Sequence, residues 1–285
     1  MIEIDFLDEL DRFQLALKKN SVEMQEGEQS SESTGHGMVF KDHKQYVPGD
    51  DIRRIDWKAY ARTGDYFIKR YEEEKSVTLH ILLDRSSSMN YGDPKKYDYA
   101  GKLGIALAYM ALNTNDRYRF SVFSETLTDI SSGRRNSNLP RIVDTLNEIR
   151  KTPESRIERC VTEYSSRIEN KSAVIILSDF LSDIESIESG IEGLQDTDTL
   201  LVNVFDPTEL DPGMEGDKIL TDPESDSRLR TYLSKRTKER YRGRLQEHIS
   251  ELEEVAHSHG AEYMQLSTGQ DFFESFLSVW NLLNS

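Results

Sequence analysis

Residues 77–84 read V-T-L-H-I-L-L-D, an apolar run that ends in an aspartate, and residues 173–179 read A-V-I-I-L-S-D with the same ending. A third apolar run, T-L-L-V-N-V-F, follows at 199–205. Near-continuous runs of Val, Ile and Leu are typical of parallel strands that are buried on both faces. Segments with helical periodicity separate these runs, so strands and helices alternate along the chain. The pattern predicts an α/β fold with an open, doubly wound, mostly parallel sheet of the Rossmann type.

The chain before this region has a different character. Residues 1–20 have apolar side chains at helical spacing, which predicts a short amphipathic helix. Residues 38–72 have irregular periodicity and several turn signals, which predict a small module of short strands and turns. We therefore expect two domains, an N-terminal helix and module at 1–75 and the α/β domain at 76–285.

Two polar stretches lie in the last third of the chain. Residues 206–228 lack an apolar pattern and are either a disordered insertion or a functional loop. The strongly charged residues 229–259 follow and predict a long helix that is closed by Gly260.

The composition limits the classes of partner. The 285 residues carry a formal net charge of -16, a field that repels nucleic-acid backbones and anionic membrane surfaces. The single cysteine, Cys160, excludes an internal disulfide and agrees with a reducing compartment. No apolar stretch approaches the ~20 residues of a membrane-spanning helix, and the acidic start is unlike a signal peptide. We expect a soluble, cytoplasmic protein that does not bind membranes.

The residues that follow the first apolar strand are rich in oxygen ligands. Residues 84–89 read D-R-S-S-S-M, so Asp84, Ser86 and Ser88 alternate. If the backbone stays extended, their side chains point to the same side and form a site that suits Mg²⁺, Mn²⁺ or Ca²⁺ rather than zinc. The alternative is that these residues only form Asx and Ser turns before the next helix.

Two further residues belong to the same predicted site. Asp179 ends a strand that should lie beside the first one, and ligands of doubly wound sheets gather at these carboxyl ends. The segment P-E-S-R-I-E-R-C-V at 153–161 supplies the Ser155 hydroxyl just before a predicted helix. Its alternative role is that of a helix N-cap.

These motifs resemble the metal ion-dependent adhesion site of the von Willebrand factor type A fold. The resemblance implies a metal site that is made of Asp84, Ser86, Ser88, Ser155 and Asp179. A serine stands at 155 where the family has a threonine, and Thr152 is the alternative source of this hydroxyl.

A longer motif lies before the α/β domain. Residues 46–74 read Y-V-P-G-D-D-I-R-R-I-D-W-K-A-Y-A-R-T-G-D-Y-F-I-K-R-Y-E-E-E, which resembles the signature of the domain of unknown function 58 family. The resemblance runs from about residue 5 to 282 and includes N-V-F-D-P-T-E-L at 203–210. Members of this family join such a leader to a von Willebrand type A domain, and they sit beside MoxR-type AAA+ ATPases in prokaryotic genomes. The resemblance implies an accessory factor that works with such an ATPase in the assembly or activation of other proteins.

The donor set favours binding over catalysis. Asp84 is the one clear anionic ligand, so a divalent cation, most readily Mg²⁺, is left able to accept an Asp or Glu from a protein partner. The alternative of a magnesium-dependent phosphoester hydrolase lacks support, because such enzymes need a second aspartate at position 86 and a lysine in a marked motif. We therefore expect a protein that is not an enzyme.

Single-stranded nucleic-acid binding through residues 53–71 is the other alternative. Basic and aromatic residues alternate there and could hold phosphates and stack bases. Flanking acidic residues and the overall negative charge make nucleic acid an unlikely partner, so we interpret the basic residues as a docking surface for the acidic main domain.

Overall fold

The structure, a computed structural model, describes residues 1–25, 38–47, 50–73, 77–133, 138–149, 155–168, 172–213, 216–221 and 227–283. The chain forms two compact units. The larger unit combines Met1–Ala16 with Val77–Ser285, and the smaller one is Leu17–Ser76. This division differs from the predicted one in that the first 16 residues belong to the α/β unit.

The elements follow the alternation that the sequence predicts. The helices are α1 (Phe6–Gln25), α2 (Trp57–Thr63), α3 (Lys96–Asn113), α4 (Leu139–Glu148), α5 (Ile157–Ser165), α6 (Ile184–Glu192), α7 (Pro207–Leu210), α8 (Lys235–Ser258) and α9 (Phe272–Leu283). The strands are β1 (Met38–Gln45), β2 (Phe67–Glu73), β3 (Thr78–Asp84), β4 (Arg117–Phe123), β5 (Thr128–Gly133), β6 (Ser172–Ser178), β7 (Asp198–Phe205), β8 (Gly216–Thr221), β9 (Arg228–Leu233) and β10 (Glu262–Ser267).

The larger unit is built on a six-stranded sheet with the order β10-β7-β6-β3-β4-β5. All neighbouring strands are parallel except β5, which is antiparallel to β4. This is the strand order of a doubly wound sheet, and its topological switch point lies between β3 and β6. The fold class is confirmed as an α/β fold with an open, doubly wound, mostly parallel sheet.

The core of this unit fills both sides of the sheet. Ile81, Leu83, Phe120 and Leu177 belong to one buried cluster and Leu82 to the other, because successive side chains of a strand point to opposite faces. Helix α3 lies close to the first face. A side-chain carbon at its Gly104 would lie 2.7 Å from the ring of Phe120, so this helix position needs glycine.

The first residues of the chain belong to this core. Ile2, Phe6 and Leu10 are buried in the same cluster as helix α3 and the sheet. The backbone of Ile2 also forms two hydrogen bonds with the Asn147 side chain, at 2.9 and 2.8 Å. The Phe6 ring packs edge-on against Phe272 at 5.2 Å. These contacts explain why the first 16 residues belong to the larger unit.

The described residues between 38 and 73, in the smaller unit, form a hairpin and the short helix α2. Strands β1 and β2 pair in antiparallel fashion, and α2 stands between them in the sequence. The Asp56 carboxylate caps α2 by accepting hydrogen bonds from the backbone of Lys58 and Ala59, and it also contacts His43 Nε2 at 2.9 Å. Gly64 ends the helix in a left-handed conformation with φ 77°. The short strands and turns predicted for residues 38–72 are thus present.

The region 206–234 is more structured than the sequence predicts. It contains the single-turn helix α7 and the antiparallel hairpin of β8 and β9, with 214–215 and 222–226 outside the described residues. The prediction that the long helix begins at residue 229 is wrong, because Arg228–Leu233 form strand β9. The sequence R-L-R-T-Y-L alternates with a period of two, and Ser234 then caps helix α8.

Candidate metal site at the carboxyl edge of the sheet

The carboxyl ends of β3 and β6 bring Asp84 and Ser178 together. The two strands pair in parallel, with Leu83 opposite Leu177, so the next residue of each strand stands at the same edge. The hydroxyl of Ser178 donates a hydrogen bond of 2.7 Å to Oδ2 of Asp84. This edge lies at the switch point of the sheet, where doubly wound folds bind ligands.

The loop after β3 places both predicted serines beside this carboxylate. The backbone N–H of Ser86 donates to Asp84 Oδ1 at 2.8 Å, which is an Asx turn. The chain bends at Ser87 into a single 3-10 turn at Ser88–Asn90, so the expected extended backbone ends before Ser88. The hydroxyls of Ser86 and Ser88 nevertheless lie 3.0 Å apart and are buried. An Asx turn is thus present, and the two hydroxyls lie together beside the Asp84 carboxylate.

Ser155 reaches the same carboxylate from a third segment. Its hydroxyl donates to Asp84 Oδ2 at 3.2 Å. The N-cap of the following helix α5 is Arg156, so the alternative role of Ser155 as the N-cap is wrong. Thr152, the other predicted source of a hydroxyl, lies outside the described residues.

Asp179 is held at this edge by an unusual turn. The next residue, Phe180, is buried and has a positive φ of 45°, a conformation that costs a non-glycine residue about 1–3 kcal/mol. Its N–H donates to the Ser178 hydroxyl at 3.0 Å, and its carbonyl accepts from His248 Nε2 at 2.7 Å. These contacts hold the turn and keep Asp179 buried beside Asp84.

Two charged residues of the edge were not predicted as site residues. Lys96, the first residue of α3, is fully buried, and its Nζ donates to Asp179 Oδ2 at 2.8 Å and to Glu209 Oε1 at 2.6 Å. Glu209 belongs to α7, where its other oxygen accepts from the backbone of Asp206 at 2.8 Å. Lys96 thus links the ends of β6 and β7.

The electrostatics of the edge follow from burial and from the proximity of like charges. Burial, followed by the negative charge of Asp179, raises the pKa of Asp84 from its usual value to about 6. Burial lowers the pKa of Lys96, but the charges of Asp179 and Glu209 outweigh that effect and raise it. Asp84 is therefore the carboxylate that lacks a cationic neighbour among its main electrostatic contacts.

The donor atoms have the chemistry and the spacing that a hard cation requires. Neighbouring ligands around Mg²⁺, with bonds of 2.0–2.1 Å, lie about 3 Å from one another. The Ser86 and Ser88 hydroxyls are 3.0 Å apart, and the Ser155 hydroxyl lies 3.2 Å from Asp84 Oδ2. Within the described ranges, no group of three or more His, Cys, Asp or Glu side chains could hold a metal ion. Asp84, Ser86, Ser88 and Ser155 have the oxygen chemistry and the spacing that suit a divalent cation.

The basic and aromatic stretch of the smaller unit is exposed at several positions. The side chains of Arg53, Lys58 and Arg62 are exposed, and Trp57 is 58% exposed. The rings of Tyr60 and Tyr66 stack on each other at 4.5 Å, so these two aromatic faces are partly covered. The side chains of Arg54, Lys69 and Arg70 lie outside the described part.

Comparison with known sequences identifies the family. The family described as "Protein of unknown function DUF58" matches residues 42–251. The chain belongs to the DUF58 family. The match spans the signature of the smaller unit, all five predicted metal-site residues, and both Lys96 and Glu209.

Relatives of this DUF58 protein occur in Mycobacterium and Bacillus. An uncharacterized protein of Mycobacterium tuberculosis is 20% identical over 244 residues, which is 84% of this chain and 77% of the relative. The uncharacterized protein YeaD of Bacillus subtilis is 38% identical over 53 residues, which is 19% of this chain and 13% of YeaD.

Solved structures similar to this DUF58 protein include two of low sequence identity. The conserved hypothetical protein BatB from Bacteroides thetaiotaomicron is 13% identical, with a TM-score of 0.46, over 74% of this chain and 100% of BatB. The VWA domain of SpRpn10 is 10% identical, with a TM-score of 0.42, over 72% of this chain and 95% of that domain. Among the residues that the structure describes, no helix is both long enough and apolar enough to cross a membrane.

Proposed function

We propose that this DUF58 protein is a metal-dependent protein-interaction module and not an enzyme. The cation is Mg²⁺, with Mn²⁺ or Ca²⁺ as substitutes, and its ligands come from Asp84, Ser86, Ser88, Ser155 and Asp179. The observation that carries the proposal is the convergence of Ser86, Ser88 and Ser155 at the Asp84 carboxylate, at the switch point of the sheet. Asp179 follows the adjacent strand β6, and its charge acts on Asp84.

The donor set explains why the site would bind a partner. Three of the five side chains are neutral hydroxyls, and Asp179 already shares its charge with Lys96. A bound divalent cation supplies an acceptor for one more carboxylate, which an Asp or Glu of the partner provides. In this proposal the five side chains bind the cation, and a carboxylate of the partner completes its coordination.

The surroundings of the edge suit a protein partner. Tyr91, Leu181 and Tyr241 expose 45%, 50% and 40% of their surface. Each lies near the site: the Tyr91 hydroxyl bonds to Thr208 beside Glu209, and Leu181 follows two residues after Asp179. Burial and then the charge of Glu209 raise the pKa of Tyr241, which places this ring close to that carboxylate. Aromatic side chains such as those of Tyr91 and Tyr241 are enriched in protein interfaces.

The structure bears on the magnesium-dependent hydrolase alternative but does not support it. The sequence has no lysine in a marked motif, yet Lys96 lies beside Asp179. Two carboxylates engage this ammonium group and it is fully buried, so it is poorly placed to receive a transferring phosphoryl group. Position 86 remains a serine, which cannot act as the general acid. We therefore retain binding as the function.

The partner is proposed from the family. The resemblance to proteins encoded beside MoxR-type AAA+ ATPases makes such an ATPase the first candidate, with the protein acting as an accessory factor in assembly or activation. The single cysteine and the acidic surface suit a cytoplasmic setting.

The test is capture of a purified MoxR-type ATPase from the same genome on the immobilised protein. We expect capture in millimolar Mg²⁺, loss of capture in chelator, and loss with Asp84→Ala in either condition. Asp198→Ala, which removes an exposed carboxylate at the opposite edge of the sheet, is the matched control and should behave as the wild type. Capture that is unchanged by chelator and by Asp84→Ala would contradict the proposal.

A further inference from the structure

Lys96 is an internal cation of the candidate metal site. It is 0% exposed, and a lysine is almost never fully buried unless it is paired. Its Nζ lies 2.8 Å from Asp179 Oδ2 and 2.6 Å from Glu209 Oε1. The fold thus supplies one positive charge to the edge before any ion binds.

The charges of this edge do not cancel. In the group formed by Asp84, Asp179, Glu209 and Lys96, three negative charges face one positive charge. The buried carboxylate of Asp206, which caps α7, adds another negative charge to this edge. A bound divalent cation would offset two of these negative charges. Without Lys96, the same three carboxylates would attract a divalent cation more strongly, because a unit charge within a few ångströms of a bound ion is weakly screened in a buried site.

The arrangement also connects the site to the segment after β7. Glu209 completes a capping box in α7, in which Asp206 accepts from the backbone of Thr208 and Glu209 accepts from the backbone of Asp206. The Lys96 ammonium group therefore pairs both with Asp179, a predicted metal ligand, and with Glu209, which stabilises α7. If Asp179 were to ligate an ion, Glu209 would remain as a partner of the ammonium group.

We propose that Lys96 sets the cation affinity of the site by acting as a resident counter-ion to Asp179. The inference rests on the proposed function, because it concerns the same cation. The ammonium group allows the carboxylates to stay buried when no divalent ion is bound. It also keeps the ion weakly held and exchangeable, so that the carboxylate of a partner contributes a large share of the stability of the ternary complex.

The experiment compares Lys96→Met with the wild type in two measurements on chelator-treated protein. Isothermal titration calorimetry with Mn²⁺ alone gives the affinity, and the melting temperature is recorded in chelator and in Mn²⁺. We expect Lys96→Met to melt at a lower temperature in chelator, to recover in Mn²⁺, and to bind Mn²⁺ about tenfold or more tightly than the wild type. Lys95→Met makes the same change at the adjacent, exposed lysine and should behave as the wild type.

A second variant changes the affinity in the opposite direction and keeps the test valid if Lys96→Met does not fold. Glu209→Gln removes the carboxylate that competes for Lys96, so the ammonium group pairs fully with Asp179 and Mn²⁺ binding becomes weaker. Equal or weaker Mn²⁺ binding by Lys96→Met, or unchanged binding by Glu209→Gln, would overturn the inference.

The outcomes also separate this inference from the proposed function. If the wild type binds Mn²⁺ and Lys96→Met binds it equally, the role of Lys96 is wrong and the metal site stands. If only Lys96→Met binds Mn²⁺, the ammonium group replaces the metal in the natural protein, so the role of Lys96 stands and the metal-dependent function is wrong. The absence of saturable binding in both proteins would overturn both.

Discussion

At the carboxyl edge of the central sheet the charged side chains are buried and hydrogen-bonded within the fold, whereas at the amino edge they line an open cavity. The carboxyl edge holds Asp84, Asp179 and Lys96, each at most 2% exposed. The amino edge has a cavity of about 300 Å³ lined by Arg117, Arg119 and Arg167, among other residues. Arg117 is exposed and the other two are partly exposed.

The difference shows that burial determines how much a charged side chain contributes to stability. Exposed arginines are screened by water, and the pairing of Arg167 with Asp129 at 3.0 Å contributes little to stability. Buried charges need partners within the fold, so each carboxylate of the other edge has a specific donor. Changes to these buried, paired groups should therefore have larger effects than changes at the amino edge.

The largest effect is expected for Asp179→Ala. This change leaves Lys96 buried with one carboxylate partner, and breaking a buried ion pair from one side costs about 3–5 kcal/mol. Urea unfolding in chelator should show this loss in the free energy of unfolding. Asp198→Ala, at the amino end of β7, should change it by less than about 0.5 kcal/mol. Equal losses in the free energy of unfolding of the two variants would show that the two edges of the sheet do not differ in the importance of their charges.

The next largest effect is expected for Gly92→Ala. Gly92 has a φ of 92°, and a side-chain carbon there would collide with the carboxylate of Asp206, which caps α7. We expect a loss of about 2 kcal/mol in the free energy of unfolding and weaker capture of the partner. Gly213→Ala, where a side-chain carbon meets nothing within 4 Å, is the matched control. An unaffected Gly92→Ala variant would show that α7 is not fixed to this edge.

A pH effect is expected from the amino edge. His80 is buried between Tyr164 and Ser172, and burial, followed by the charge of Arg119, lowers its pKa to about 4. The unfolded chain binds this proton near the usual pKa of ~6.5, so stability falls as the pH drops from that value toward 4. Between neutral pH and pH ~5 the loss from this group is about 2 kcal/mol at most.

His80→Gln isolates this contribution, because Gln keeps two polar partners but does not titrate. The wild type should lose more free energy of unfolding than His80→Gln over the same pH interval. Parallel curves for the two proteins would show that His80 is already protonated or exposed.

The smallest effect is expected for Arg117→Ala. Its guanidinium is exposed at the amino edge, so the free energy of unfolding should change by less than about 0.5 kcal/mol. Melting curves and partner capture should match those of the wild type. A large loss of capture would place the partner at the amino edge instead.

The sequence predicts the sheet well because its parallel strands are apolar on both faces. Strands β3, β6 and β7 are unmistakable for that reason, and the positions of Asp84 and Asp179 follow from their carboxyl ends. Edge strands give weaker signals. Strand β5, with the sequence T-D-I-S-S-G, is half exposed and polar, and β9 was assigned to the helix that follows it.

The sequence predicts which side chains meet at the carboxyl edge, with the exception of Lys96. The D-x-S-x-S pattern and the later S-D are local signals for Asp84, Ser86, Ser88 and Asp179, and the family resemblance adds Ser155. Lys96 stands 83 residues from Asp179 and 113 from Glu209, and only the packing of α3 brings them together. In the sequence, two adjacent lysines at the start of a helix, Lys95 and Lys96, indicate two solvent-exposed side chains. The one available hint was Glu209, which lies in the N-V-F-D-P-T-E-L segment of the family resemblance.

The most direct test of the central claim is calorimetric titration of Mn²⁺ into chelator-treated wild type, Asp84→Asn and Asp198→Asn. An acidic chain binds divalent ions weakly at many places, so the two Asn variants, which lose the same charge, provide the comparison. We predict one saturable site in the wild type and in Asp198→Asn, and its loss in Asp84→Asn. The same isotherm in all three proteins would contradict a metal site at the carboxyl edge.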